Sequence, residues 1–96
     1  MNVEEIKKKL RKMKFGDTIV LENPDFADAV IGVSFEGNLI YDYDRMVSCL
    51  KSGDGMEDLE AMEFIEHNTF RSVPYMRSAG VTPVFVQTIY PTEEDE

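Results

Sequence analysis

Cys49, His67 and a surplus of carboxylates are the residues of this chain whose types could support a reaction or hold a metal. A thiolate beside an imidazole makes a nucleophile and its base. Cys49, however, falls mid-helix beside an apolar stripe, with no helix N-terminus or cation nearby to lower its pKa, so it reads as a small packing residue. Glu63 and His67 stand four apart and share a helix face, as two metal ligands would. A tight site needs three or four ligands, so the pair reads as a solvated face. Asp54, Glu57, Asp58 and Glu60 surround Gly53 and Gly55, yet they lack the ordered spacing of a calcium loop. Gly32 and Gly53-Asp54-Gly55 are isolated and make no phosphate cradle. The reading is therefore non-enzymatic, with no catalytic residue, metal or cofactor.

Two other constellations suit contact rather than catalysis. Tyr41-Asp42-Tyr43-Asp44-Arg45 is the most unusual local sequence. As structure it is a strand end entering a helix, with a carboxylate as cap. As function, exposed Tyr beside Arg has the composition of a contact hot spot, with Tyr41, Tyr43, Asp44, Arg45, Arg71 and Tyr75 as the candidate surface. Arg71 and Arg77 are the only Lys or Arg residues after Lys51. Either is expected to pair with Asp42 or Asp44 and so pin residues 69–83. The second constellation is a basic stretch containing Lys7, Lys8, Arg11, Lys12 and Lys14. It suits phosphates, the Glu93–Glu96 tail, or an acidic face of another copy; otherwise it is a solvated face.

Charge is segregated along the chain. The net charge is −9, but residues 1–14 carry +4 and residues 15–96 carry −13. So acidic a body repels nucleic acid everywhere except near the basic stretch. The 96 residues suit one domain over 1–90 with an acidic, disordered tail over 91–96. The single cysteine cannot form an internal bridge, which points to a reducing, cytoplasmic setting. No signal peptide and no membrane span are expected.

These residues must be positioned by elements that the apolar spacing outlines. Val3, Ile6, Leu10 and Met13 predict a helix over about 3–14, with Asn2 and Glu5 as a capping box and Gly16 as its stop. Thr18–Glu22 reads as a strand ended by Asn23-Pro24-Asp25, followed by a loop or helical turn from Phe26 to Asp28. Strands over Ala29–Phe35 and Leu39–Asp42 form a hairpin. Its loop is either Glu36-Gly37, placing Phe35 opposite Asn38, or three residues, placing Phe35 opposite Leu39 and Val33 opposite Tyr41. The apolar match favours the latter, and Gly32 marks a bulge or a close approach.

Tyr43, Met46, Val47 and Leu50 predict the next helix, capped by Asp42 or Asp44 and broken at Ser52–Gly55. Leu59, Met62 and Ile65, with Ala61 and Phe64 flanking them, predict another from Met56 or Glu57 to His67, ended by a left-handed Asn68 with Phe70 as its hydrophobic contact. Residues 69–83 read as irregular and Val84–Tyr90 as a strand. The order α-β-β-β-α-α-β makes an α+β fold, a small antiparallel sheet of three to four strands with helices on one face.

Several of these segments also carry a resemblance. Gly32-Val33-Ser34, Glu36-Gly37 and Ile40-Tyr41-Asp42-Tyr43-Asp44-Arg45-Met46-Val47 are part of it. So are Asp54-Gly55-Met56, Glu60–Glu66 and Asn68-Thr69-Phe70-Arg71-Ser72-Val73-Pro74-Tyr75. Together they resemble a family of small uncharacterised proteins from phages and mobile elements of Gram-positive gut bacteria. The likeness covers about half the chain and leaves the basic helix outside. His67 stands where an aromatic is expected, and Glu57 where a Thr cap is. The resemblance implies a phage-type setting and nothing about catalysis; a non-enzymatic module binding a host or phage protein is the expectation that goes with this setting.

Overall fold

α1 spans Val3–Lys12, and its start is set locally. The Asn2 side chain accepts the Glu5 N–H at 2.9 Å while the Glu5 carboxylate accepts the Asn2 N–H, a complete capping box. Ile6 and Leu10 face the core. The helix ends at Lys12, four residues before the expected glycine. Lys14, not Gly16, takes the left-handed conformation, at φ 67°. The Lys14 N–H bonds the Arg11 carbonyl and the Phe15 N–H the Leu10 carbonyl, the paired bonds of a Schellman stop. Phe15 then folds back against the core.

The computed structural model describes residues 1–89; Tyr90 and the acidic tail over 91–96 lie outside the described residues. Thr18–Glu22 does not form the expected strand. Thr18 makes one isolated parallel bridge to Val81, secured by Ile19 N–H to the Val81 carbonyl and Val81 N–H to the Asp17 carbonyl. The segment from Val20 onward is held instead by a side chain, since the Leu21 N–H donates to the Tyr41 hydroxyl at 2.9 Å. Ala27–Ala29 forms a short 3-10 turn, as the Phe26–Asp28 segment suggested.

β1 (Val30–Val33) and β2 (Leu39–Asp42) make the antiparallel hairpin. Its register differs from the expected one, because Val33 faces Leu39, Gly32 faces Ile40 and Val30 faces Tyr41. The loop does hold three residues, but they are Phe35, Glu36 and Gly37. Ser34 N–H bonds the Asn38 carbonyl, and the Ser34 hydroxyl donates to the Asn38 side chain and accepts its N–H. Gly37, at φ 90°, closes the loop; the Phe15 ring lies 3.0 Å from where a Cβ would stand. Two polar side chains thus decide the register against the apolar match, and Phe35 is left 100% exposed at the tip. The expected irregularity at Gly32 is present, as a bulge between Val30 and Gly32.

α2 (Tyr43–Asp54) follows directly and is stopped by Gly55 at φ 69°. Met46 and Leu50 are buried and Tyr43 and Val47 half-buried, which matches the predicted stripe. Each full burial of such a side chain stabilises by about 1.5–3 kcal/mol.

α3 (Asp58–Phe64) and the residue after it bury only part of the predicted set. Ala61 and Ile65 are buried, whereas Leu59 is 68% exposed and Met62 is also exposed. Nor does the helix end at Asn68. A π turn over Ile65–Thr69 carries it into α4 (Phe70–Met76), which contains Pro74. The wider turn brings Thr69 into the core and sets Phe70 against Phe85, with ring centroids 4.7 Å apart. Tertiary burial therefore overrides the local stop signal, and much of the expected loop is helix.

β3 (Val84–Val86) is shorter than expected and runs parallel to β2, with Ile40, Tyr41 and Asp42 facing Val84, Phe85 and Val86. The sheet is therefore mixed, in the order β1-β2-β3, rather than antiparallel. The α+β class stands. One core joins α1, α2, α3, the π turn and β2 through Ile6, Leu10, Leu39, Tyr41, Leu50, Ala61 and Ile65.

Candidate functional site

The Tyr41–Arg45 corner is built by the central strand running into α2, and burial divides its residues. Tyr41 is fully buried and is not a surface contact. Its hydroxyl accepts the Leu21 N–H and its ring lies 6.0 Å from that of Phe85. Burial pushes its phenol up to about 12, offset in part by the Leu21 bond and reinforced by Asp25. Asp42 is also buried. One carboxylate oxygen accepts the Arg45 N–H at 3.0 Å, capping α2, and the other accepts the Thr88 N–H and hydroxyl. The Thr88 hydroxyl is the chief reason its carboxyl lies below the usual range; desolvation opposes this, and the Arg45 N–H helps.

Arg71 and Arg77 are both exposed and neither pairs with Asp42 or Asp44, contrary to expectation. Asp42 is already committed to Thr88 and the helix start, and Asp44 points to solvent while its carbonyl accepts the Ser48 hydroxyl. The remaining corner residues do reach the surface. Asp44 and Arg45 are exposed, Tyr75 is 85% exposed on α4, and Tyr43 is half-buried 6.0 Å from Phe70. Burial, with Glu66 and Asp44 nearby, raises the Tyr43 phenol. Tyr43, Phe70 and Phe85 line a shallow cleft of about 410 Å³ with Glu66 and Gln87 at its edge. Spacing suggested Phe70 only as a helix-stop contact and gave no sign of Phe85, because β3 pairs with β2 across about forty residues of intervening chain.

Cys49 lies half-buried on α2 beside Asp25 and Asp28. Burial first, then these two carboxylates, raise its thiol, the opposite of what a nucleophile needs. Glu63 and His67 are both exposed, and the π turn begins between them. Among the described residues no three His, Cys, Asp or Glu side chains gather as metal ligands would.

The basic helix is exposed along Lys8, Lys9, Arg11, Lys12 and Lys14. Lys7 differs, being half-buried and 3.0 Å from Glu22, with Glu4 at 4.0 Å. Beside this helix lies a groove of about 320 Å³ between α1 and β1, and spacing gave no sign of it. Ile6, Leu10 and Met13 form its α1 wall and Val30, Ile31 and Val33 its β1 wall. Lys9 stands at its edge. Ile31 is 44% exposed there, as the bulged residue of the strand.

Among the described residues no helix is long and apolar enough to cross a membrane. Comparison of the chain with protein-family models, curated proteins and solved structures finds no match.

Proposed function

We propose that this chain is a non-enzymatic protein-interaction module of a phage or mobile element, working in the cytoplasm on a host or phage protein. The observation that carries the reading is the open apolar groove between α1 and β1, with exposed cations beside it. An apolar floor with a charged rim is the usual anatomy of a protein contact surface. The raised thiol of Cys49 supports the non-enzymatic part, and the resemblance over residues 32–76 supports the setting. The −13 charge of residues 15–96 further suits an inhibitor that occupies the basic channel of a host defence protein. Capture from a Gram-positive host lysate tests the reading. A stoichiometric partner released by salt is expected, and repeated recovery of none overturns it.

A second reading draws on the exposed cations Lys8, Arg11, Lys12 and Lys14. Here the chain is a nucleic-acid-associated accessory protein that lays α1 on phosphates. It predicts a mobility shift of DNA or RNA at low salt that disappears when these residues become Glu. No shift at low salt disposes of it.

A further inference from the structure

We infer that the outer edge of β1, with the groove beside it, takes an extended acidic segment of another protein as an added strand. The inference deepens the interaction reading above and rests on it.

Three observations converge on this face. First, β1 pairs with β2 on one side and, among the described residues, has no strand on the other. The backbone of an edge strand presents donors and acceptors that an extended peptide can complete. Second, the edge borders an apolar groove rather than bare solvent. Ile31 and Val33 from the strand and Met13, just past α1, offer apolar surface to alternate side chains of an incoming strand. Gly32, on that strand, has open space where a side chain would stand. Third, a cation lines the groove. Lys9 is the charged residue of its lining, whereas Lys8 and Arg11 are exposed on the other side of the same helix.

Charge selects among occupants. Residues 1–14 carry +4. Edge pairing of β1 with β1 of a second copy would bring two such helices together, and like charges disfavour it. An acidic strand meets the opposite sign. The bulge at Ile31 disrupts regular backbone pairing, which guards against indiscriminate strand addition. Selectivity then comes from the groove and from Lys9.

The test uses the full chain and a labelled peptide of about ten residues alternating Val with Glu, compared with its Val and Lys counterpart. The Glu peptide is expected to bind, with its largest amide shifts on residues 30–33, and the Lys peptide is not. Ile31→Glu and Lys9→Glu should each weaken binding about tenfold or more, whereas Leu59→Ser, on α3, should leave it unchanged. Equal binding of both peptides, shifts centred elsewhere, or wild-type affinity in folded Ile31→Glu overturns the inference. So does a dimer abolished by Ile31→Glu, which gives the groove to a second copy. Tighter peptide binding after Glu93→Gln, Glu94→Gln and Glu96→Gln also overturns it, by giving the groove to the chain's own tail. A lysate partner still captured by Ile31→Glu would refute this groove and leave the interaction reading intact. Peptide binding without any lysate partner would do the reverse.

Discussion

Replacing Asp42 by alanine should destabilise the protein by about 2–3 kcal/mol, from two separable losses. The first is the cap on α2, whose Arg45 N–H loses its acceptor, at about 1 kcal/mol. The second is the tie to Thr88, where an N–H and a hydroxyl lose a charged partner in a half-buried setting. Leaving those groups unpaired costs about 1–2 kcal/mol. In a domain of this size the sum corresponds to a fall in Tm of roughly 10–20 °C. Asp42→Asn keeps an adequate cap and should lose only about half as much, because the charge on the Thr88 bond goes.

Thermal and urea unfolding followed by far-UV circular dichroism measure both variants. Thr88→Val supplies the cycle, with an expected coupling to Asp42→Ala of about 1 kcal/mol. Full additivity, or an Asp42→Ala protein as stable as wild type, refutes the reasoning.

The pH dependence gives an independent check. The folded Asp42 carboxyl lies below its usual value, so across that interval the unfolded chain binds the extra proton. Its contribution is present above the unfolded pKa of about 3.9 and is lost as pH falls below it through the folded value. Wild type and Asp42→Asn should therefore converge in stability at acid pH. Parallel profiles would contradict the assignment.

Tyr41→Phe leaves the Leu21 N–H without its acceptor and should cost about 1–3 kcal/mol in urea unfolding. Because the folded Tyr41 phenol is raised to about 12, its contribution is present below the unfolded value and is lost as pH rises from there through the folded value. Ultraviolet titration should show one tyrosine ionising last, together with unfolding. Gly80→Ala places a Cβ 2.2 Å from the Asp17 carbonyl oxygen and should cost about 1–3 kcal/mol, read as a lowered Tm and faster exchange of the Val81 amide. Lys14→Gly relieves a left-handed non-glycine residue and should raise stability by about 0.5–1 kcal/mol, provided the Schellman bonds to Leu10 and Arg11 are the true stop.

What could be read along the chain was what neighbours decide. The capping box of α1 and the Asp42 cap and stripe of α2 depend on residues within one or two turns, and all are present. The hairpin was visible, but its register was not. Apolar matching favoured Phe35 opposite Leu39, while the Ser34–Asn38 side-chain bonds fix another alignment. The stop at Asn68 failed for a longer-range reason, since Phe70 gains Phe85 and Thr69 gains the core only if the helix continues. The parallel pairing of β3 and the reduction of Thr18–Glu22 to a single bridge likewise depend on contacts remote in sequence.

The same remoteness explains why the contact corner changed character. Tyr41 and Asp42 drew attention as an unusual polar and aromatic pair, and unusual residues are often those a fold must bury with partners. Here β2 is the middle strand, so both side chains are enclosed by β3 and the Leu21 segment and are spent on holding them. A central strand has no backbone edge left to offer a partner; β1 has one. The charge segregation points the same way, because the +4 segment forms α1, and α1 is the helix that borders β1. Edge, groove and the Lys9 cation therefore coincide on one face. Moving one charge within that face should change recognition far more than stability, whereas at Asp42 the order is reversed.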